Sequence, residues 1–520
     1  MGPGSVIDVE ETPAQLEIPY SKEITKAITH LVPAGTDVVF EEKAILVNQA
    51  IQHIGMGKYQ WKLFFIAGFG WMVDQGFETA TSLSLPLIGV EFDPAHEAFS
   101  QLALTTGLVV GSMLWGFSCD IIGRRPAFNI TLFIAAVFGI LVGSAPTFIG
   151  TVTLISFLGV GVGGNLTIDS ALFLEFLPGD NQYLLALLSI WWSFGQIIAN
   201  LFGWGLLTNY QCAPKLPRSE CMAGWRYLFF TMGSISLVLA LIRYFAFPVY
   251  ESPKYLVSVG RNVDAIETLN AIATYNGTTQ PLLVEHLDSI DRQFGVEHQG
   301  FQTVRARANF AVKNLLPSLK NIRALFNTKK MAWNMIVLML IWGIIGIGSM
   351  YHQFLPIFLQ KHGAIEGNGS VYITYRNSLA IASCSIFGCV IGAFASRLPY
   401  LGRRGTLSIS LFITGALVYA FTTARTQGTI LAYNCIISVA QYSLFAALYC
   451  ITPEVIESSL RGTGSAIIST FNRICGLQAP IIAAYVGFNN ALLFATAGVY
   501  LAGGVLSLLI PYESRGKTSI

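Results

Sequence analysis

Two carboxylates, Asp74 and Glu78, stand four residues apart in GWMVDQGFETATSLSLPLIG (70–89), a stretch of otherwise apolar and small residues. On a helix that spacing puts both on one face, which Thr81 and Ser82 extend by a turn. A charge at the centre of a bilayer costs roughly 2.5–3.5 kcal/mol on insertion scales. It is tolerated where the face meets a water-filled cavity or a partner charge, and a carboxylate placed so can carry a proton. The bland alternative is a structural pair bonded to its neighbours. Asp169 is a second candidate, with Asn165 one turn earlier on the same face. The glycine-rich GVGVGG (159–164) before it lets helices approach closely; with no strand ahead of it, it is no dinucleotide fingerprint. The alternative for Asp169 is a helix-packing hydrogen bond. Arg473, in STFNRICGLQAP, reads as the one basic residue deep in an apolar run. Its planar fork suits a carboxylate or phosphate. The alternative is a permanent salt bridge to Asp74, Glu78 or Asp169.

What holds these groups is a membrane protein. The chain has 520 residues, 53% hydrophobic and only 12% charged, with a mean hydropathy of +0.57. Soluble chains carry about 25% charged residues. Apolar runs of span length fall at about 62–89, 101–122, 126–146, 148–176, 184–208, 225–248, 332–359, 377–396, 406–424, 428–451, 464–487 and 489–510. The reading is an all-α membrane protein of twelve transmembrane helices. Its expected units are an N-terminal segment (1–60), a six-helix half (61–248), a polar linker with short helices (249–330), a second six-helix half (331–511) and a tail (512–520). Basic residues concentrate in the links after even-numbered spans, at GRRP (123–126), the linker, RLPYLGRR (397–404) and Arg461. The positive-inside rule makes those links, and both termini, cytoplasmic. The loop between Cys212 and Cys221 then faces outward, where a disulfide is one option and two free thiols the other. Asn368, in NGS, becomes a glycosylation candidate. Asn165 and Asn276 also begin sequons, but fall in a helix and on the cytoplasmic side. A net charge of +2 marks no nucleic-acid binder. No H-E-x-x-H, P-loop, paired C-x-x-C or nucleophile elbow is present, so no catalytic residue, metal or cofactor is assigned.

The halves echo each other. GRR recurs 279 positions on (123 and 402), and a glutamate follows each by 52 residues, Glu175 and Glu454. YES closes each half, at 250–252 and 512–514. GWMVDQ (70–75) matches GSMYHQ (348–353), which sets His352 opposite Asp74 as a proton relay or a plain hydrogen-bond donor. Internal repeats of this kind build secondary transporters, with the site between the halves.

GFSCDIIGRR (116–125) resembles the G-x-x-x-D-x-x-G-R-R loop of the major facilitator superfamily. FLEFLPGDNQY (173–183), YESPKYL (250–256), YCITPEVIESSLRGTG (449–464) and PYESRGK (511–517) resemble segments of its sugar-porter-like branch. GGNLTIDSALFLEFLPG (163–179) is most similar to transporters related to the synaptic vesicle glycoprotein. The resemblance spans about residues 55–517. Gln182 departs from the family's usual Arg, and SRLPYL precedes the second GRR. Span seven reads SMYHQFLP without the paired Gln of hexose porters, which counts against a hexose.

The resemblance implies alternating access. It makes Asp120, Arg124, Arg125 and Glu175, with Arg403, Arg404, Glu454 and Arg461, charge networks that gate the cytoplasmic side; solvated basic loops are the alternative. Gln196 resembles the span-five Gln that contacts solute in sugar porters, with Trp191 and Trp192 as an aromatic wall or as plain packing. The expected function is secondary active transport of a small polar or charged organic solute, an organic anion favoured through Arg473. Proton coupling would run through Asp74 or Asp169. The expected partners are the solute, protons and the lipid bilayer, with the plasma membrane as location. An uncoupled facilitator of a sugar-like or cationic solute, and a non-transporting nutrient sensor of the same fold, are the rival readings.

Overall fold

In hydrocarbon a backbone must satisfy its N–H and C=O groups within its own segment, so apolar runs of span length become helices. The computed structural model follows that rule. It describes residues 38–181, 183–210, 224–295, 325–326, 329–349, 353–354, 371–396, 398, 401–424, 426–456, 461–486 and 490–510. The first half holds α2 (Lys58–Phe92), α3 (Phe99–Ile122), α4 (Arg124–Ser144), α5 (Phe148–Glu175), a short α6 (Leu184–Leu187) leading into α7 (Ile190–Asn209), and α8 (Gly224–Phe245). The second holds α12 (Lys329–Gly348), α13 (Val371–Ala395), α14 (Gly402–Phe421), α15 (Gln427–Val455), α16 (Arg461–Gly476), α17 (Gln478–Val486) and α18 (Asn490–Ser507). The fifth and eleventh spans are each broken, at Leu188–Ser189 and at Leu477. The fold is the twelve-helix one read from the sequence. Among the described residues nine helices are long and apolar enough to cross a membrane. They do not include α2, where Asp74, Glu78 and a run of Thr and Ser dilute the apolar character. At 35 residues α2 is roughly 52 Å long, more than a bilayer core needs.

Between apolar helices in lipid no hydrophobic force remains, so close van der Waals packing must hold them together. Glycine supplies it in the same way in both halves. GLVVG (107–111) on α3 packs against α5. A Cβ at Gly107 would strike the Ser156 carbonyl, and one at Gly111 the Val160 carbonyl. GCVIG (388–392) on α13 packs against α15, Gly388 on the Val439 carbonyl and Gly392 on that of Ser443. The spacing between the two motifs is 281 residues, close to the GRR offset. Gly123 and Gly402, the glycines of the two GRR motifs, both take positive φ, +98° and +60°.

Four further helices cluster at the end of the bundle where α3 meets α4, here called the basic end. They are α1 (Val38–Ile54), α9 (Pro253–Ser258), α10 (Asn262–Asn276) and α11 (Val284–Phe294). Val47, Ile51 and Ile54 of α1 share a core with Leu256, Leu269, Leu287, Tyr59 and Phe176. Lys43, 1% exposed, pairs with Asp291 at 2.5 Å and reaches Asn262 at 3.2 Å. The amide of Asn276 accepts from the Tyr59 N–H and donates to Gln60. This sequon asparagine therefore ties α10 to the start of α2.

Alanine at Gly107 or Gly388 should cost about 1–3 kcal/mol, the usual range for overpacking. Each is expected to lower the melting midpoint in detergent. Gly428→Ala, where nothing lies within 4 Å of the added carbon, should not lower it, since alanine also favours the helix.

Candidate functional site

A cavity of about 1160 Å³, its open mouth included, lies where the halves meet. Asp74, Glu78 and Ser82 line it from α2, and Trp192, Gln196 and Asn200 from α7. Both triplets repeat every four residues, so each presents one helical face. The second half contributes Trp342 of α12, Tyr442, Phe445 and Tyr449 of α15, and Arg473 of α16. Among the described residues that line it, the only ionisable carboxylates and bases are Asp74, Glu78 and Arg473.

Of the three salt-bridge partners open to Arg473, the structure selects Asp74, on the opposite half. The Arg473 Nη2 to Asp74 Oδ1 distance is 3.7 Å. That is a charge contact but beyond hydrogen-bond range. The Arg473 Nε has no hydrogen-bond partner among the described residues. Glu78, one turn further along α2, makes no ion pair of its own among them. Gln196 reaches across the halves: the Tyr442 hydroxyl donates to its Oε1 at 2.9 Å. Aromatic rings crowd the basic side of this cluster. Tyr449 lies 4.9 Å from Trp71, 5.0 Å from Trp342 and 5.4 Å from Trp192, ring centre to ring centre.

Asp169 does not join this group, which corrects its expected place on the pathway. It is fully buried inside the first half, paired with Arg243 of α8 at 3.0 Å. Arg243 also donates to the carbonyls of Phe128 (2.7 Å) and Ile66 (2.9 Å). Its guanidinium sits 3.6 Å from the centre of the Phe128 ring. One side chain thus ties together α2, α4, α5 and α8. Gly70 makes room for it, since a Cβ there would overlap the Asp169 carboxylate. Arg473 is therefore not the one deep basic residue. Arg243 lies two residues from the end of α8, where a long side chain ordinarily reaches toward water, and the sequence carries no sign that it turns inward. Asn165 also lies off the cavity, wholly buried, with no partner for its amide among the described residues. Of the two tryptophans, only Trp192 lines the cavity; Trp191 packs on Phe64, Phe65 and Phe194.

At the basic end Arg124 pairs with Glu175. Glu251 accepts from the backbone N–H groups of Arg124 (2.9 Å) and Arg125 (3.2 Å) and so caps α4. Burial raises the Glu251 carboxyl above its usual range, while these N–H bonds and Arg124 pull it back. Its capping role was not foreseen, although its YES motif was. In the second half Arg404 donates to the Leu508 carbonyl, and Arg403 lies in the first turn of α14. Asp120, Glu454 and Arg461 lie on α3, α15 and α16, their side chains outside the description. Cys212, Cys221, His352 and Asn368 lie outside the described residues.

Residues 62–480 match the Major Facilitator Superfamily. The chain belongs to that family. It is 42% identical over 493 residues to the MFS siderochrome iron transporter 1 of Ceriporiopsis subvermispora, covering 93% of each chain. It is 26% identical to the synaptic vesicle 2-related protein of Rattus norvegicus, covering 92% of this chain and 82% of that one. The xylose transporter XylE of E. coli, in a partially occluded inward-open conformation, superposes with a TM-score of 0.64 at 16% identity. That match covers 88% of this chain and 99% of the other. The protein is an integral, multi-pass membrane transporter of a small-molecule solute, not an enzyme.

Removing one partner of a buried ion pair costs about 3–5 kcal/mol, while an apolar pair of similar volume is often neutral. Arg243→Met is therefore expected to lower the melting midpoint sharply. Arg243→Met with Asp169→Leu should recover most of the loss, as read by thermal melts of the two variants side by side.

Proposed function

We propose that this transporter is a proton-coupled symporter of a small organic anion. In this reading it works by alternating access in the plasma membrane, with the basic end and both termini cytoplasmic. The observation that carries the proposal is the loose Asp74–Arg473 contact across the halves, with Glu78 one turn away. With both carboxylates ionised the cavity holds one net negative charge and repels an anion. Protonation of Asp74 releases Arg473, whose fork then offers two parallel N–H bonds to a solute carboxylate. Proton and anion thus favour each other's binding, which is the requirement for symport. Glu78 is the second proton acceptor, and Gln196 a hydrogen-bonding contact for the solute. His352 is a relay candidate by its place in the repeat. The two six-helix halves (61–248 and 331–511) are the units that rock, joined by the linker 249–330. Asp120, Arg124, Arg125 and Glu175, with Arg403, Arg404, Glu454 and Arg461, form the cytoplasmic gate.

A cationic solute is the second reading. Among the described residues Glu78 has no ion pair of its own, and Tyr442, Phe445 and Trp342 line the same cavity, so an ammonium could rest against carboxylate and ring faces.

Uptake into proteoliposomes separates these readings. Concentrative uptake of a carboxylate should rise as outside pH falls and collapse to simple equilibration with a protonophore. Arg473→Lys keeps the charge but not the fork and should lose at least tenfold in apparent affinity. Asp74→Asn should still exchange solute but no longer concentrate it. Concentrative uptake of amines alone, abolished by Glu78→Gln, would reverse the sign of the solute. Equilibration indifferent to the proton gradient would make the protein a facilitator, and absence of any flux a sensor.

A further inference from the structure

We propose that α13 is a latch with two ends, one for each side of the pathway, and that the two ends release in turn. The proposal rests on alternating access and is independent of which solute or ion is carried.

Helix α13 belongs to the second half, bound to α15 by the backbone contacts at Gly388 and Gly392. Yet it also packs along α7 of the first half, and side-chain hydrogen bonds fasten it to that half at two points. Near its start, Tyr375 is 1% exposed, and its hydroxyl donates to the Leu83 carbonyl of α2 at 3.0 Å. Leu83 lies in the turn before Pro86, which has no N–H to offer the Ser82 carbonyl. That turn of α2 is short of one helical bond and is gripped twice from the other half, since the Ser82 hydroxyl also donates to the Gln353 carbonyl at 2.5 Å. Fourteen residues along, or roughly 21 Å, Cys389 is likewise 1% exposed. Its sulfur lies 3.6 Å and 3.5 Å from the hydroxyls of Ser189 and Ser193, at the start of α7 near the basic end. Between the two contacts, Ser378 and Ile381 of the same helix line the cavity.

A stiff helix held to the other half above and below a cavity cannot tilt without parting at one end. Opening the side away from the basic end separates Tyr375 from Leu83. Opening the basic end lifts Cys389 off Ser189 and Ser193. In each case water enters where the contact is lost and takes over the freed polar groups, which keeps the step cheap. Each latch therefore yields only to the opening that hydrates it.

Cys389 reports on its own end. The full-length protein in lipid nanodiscs would be treated with N-ethylmaleimide, and Cys389 modification followed by peptide mass spectrometry. Tyr375→Phe removes one neutral hydrogen bond and favours the state open on the far side, in which Cys389 stays covered. Its modification should slow by up to about fivefold, the factor that one net hydrogen bond supports. Ser189→Ala with Ser193→Ala should speed it. Unchanged or faster modification in Tyr375→Phe overturns the proposal. So does a Tyr375→Phe protein whose melting midpoint drops while Cys389 modification rises, because Tyr375 would then be a core contact and no latch.

Discussion

A charge inside this bundle must find an opposite charge or water on another helix, and the rest of the architecture follows from how that demand is met. It is met in two ways. Arg243 and Asp169 meet at hydrogen-bond distance with neither exposed, and both Nη groups of the guanidinium also donate to backbone carbonyls, of α4 and α2. Of its donors only the Nε has no partner among the described residues, and it is sealed away from the cavity, so the result is a joint within one half. Arg473 and Asp74 meet at 3.7 Å across the halves, beside a cavity, too far apart for a hydrogen bond. The first arrangement is closed and local. The second is open and spans the surface between the two halves. The same chemical pair is a closed brace in one place and an open contact in the other, and what separates them is how many of the Nη donors are already bound.

The repeat explains how each half is held together as a body. Each is consolidated by a close glycine contact between its second and fourth spans, α3 on α5 and α13 on α15, at matching positions. Contacts of backbone on backbone resist shear because no side chain is there to yield. Hydrogen bonds between the halves are of another kind. Tyr375 to Leu83, Ser82 to Gln353 and Tyr442 to Gln196 each involve one side-chain hydroxyl. Such bonds exchange readily for bonds to water.

The spans were legible because lipid forces long apolar runs, and Asp74, Glu78 and Arg473 stood out because charges in such runs are rare. The break at Leu188–Ser189 was not, since no proline or glycine lies beside it; the one at Leu477 is flanked by Gly476 and Pro480, a stop signal that the reading of the spans passed over. Asp169 was placed on the pathway because helical spacing shows which residues share a face and not where that face points. The aromatic ring around Tyr449 was invisible for a related reason: in a helix that is apolar all round, a tyrosine at a cavity and a tyrosine against lipid look alike. Equally hidden was GCVIG as the partner of GLVVG, because only the glycines and the central valine recur.

Arg243 shows what a single charged residue near a helix end leaves undecided. Two residues from the end of α8, its head could extend to the interface at little cost, and hydropathy alone favours that. Four features drawn from distant parts of the chain turn it inward: the Asp169 carboxylate, the carbonyls of Ile66 and Phe128, the Phe128 ring, and the absent side chain at Gly70. Any one of them would be too weak to hold a guanidinium away from water. Together they satisfy both ends of the fork and neutralise the charge. The direction of the side chain is therefore a property of the assembled half and not of its own segment.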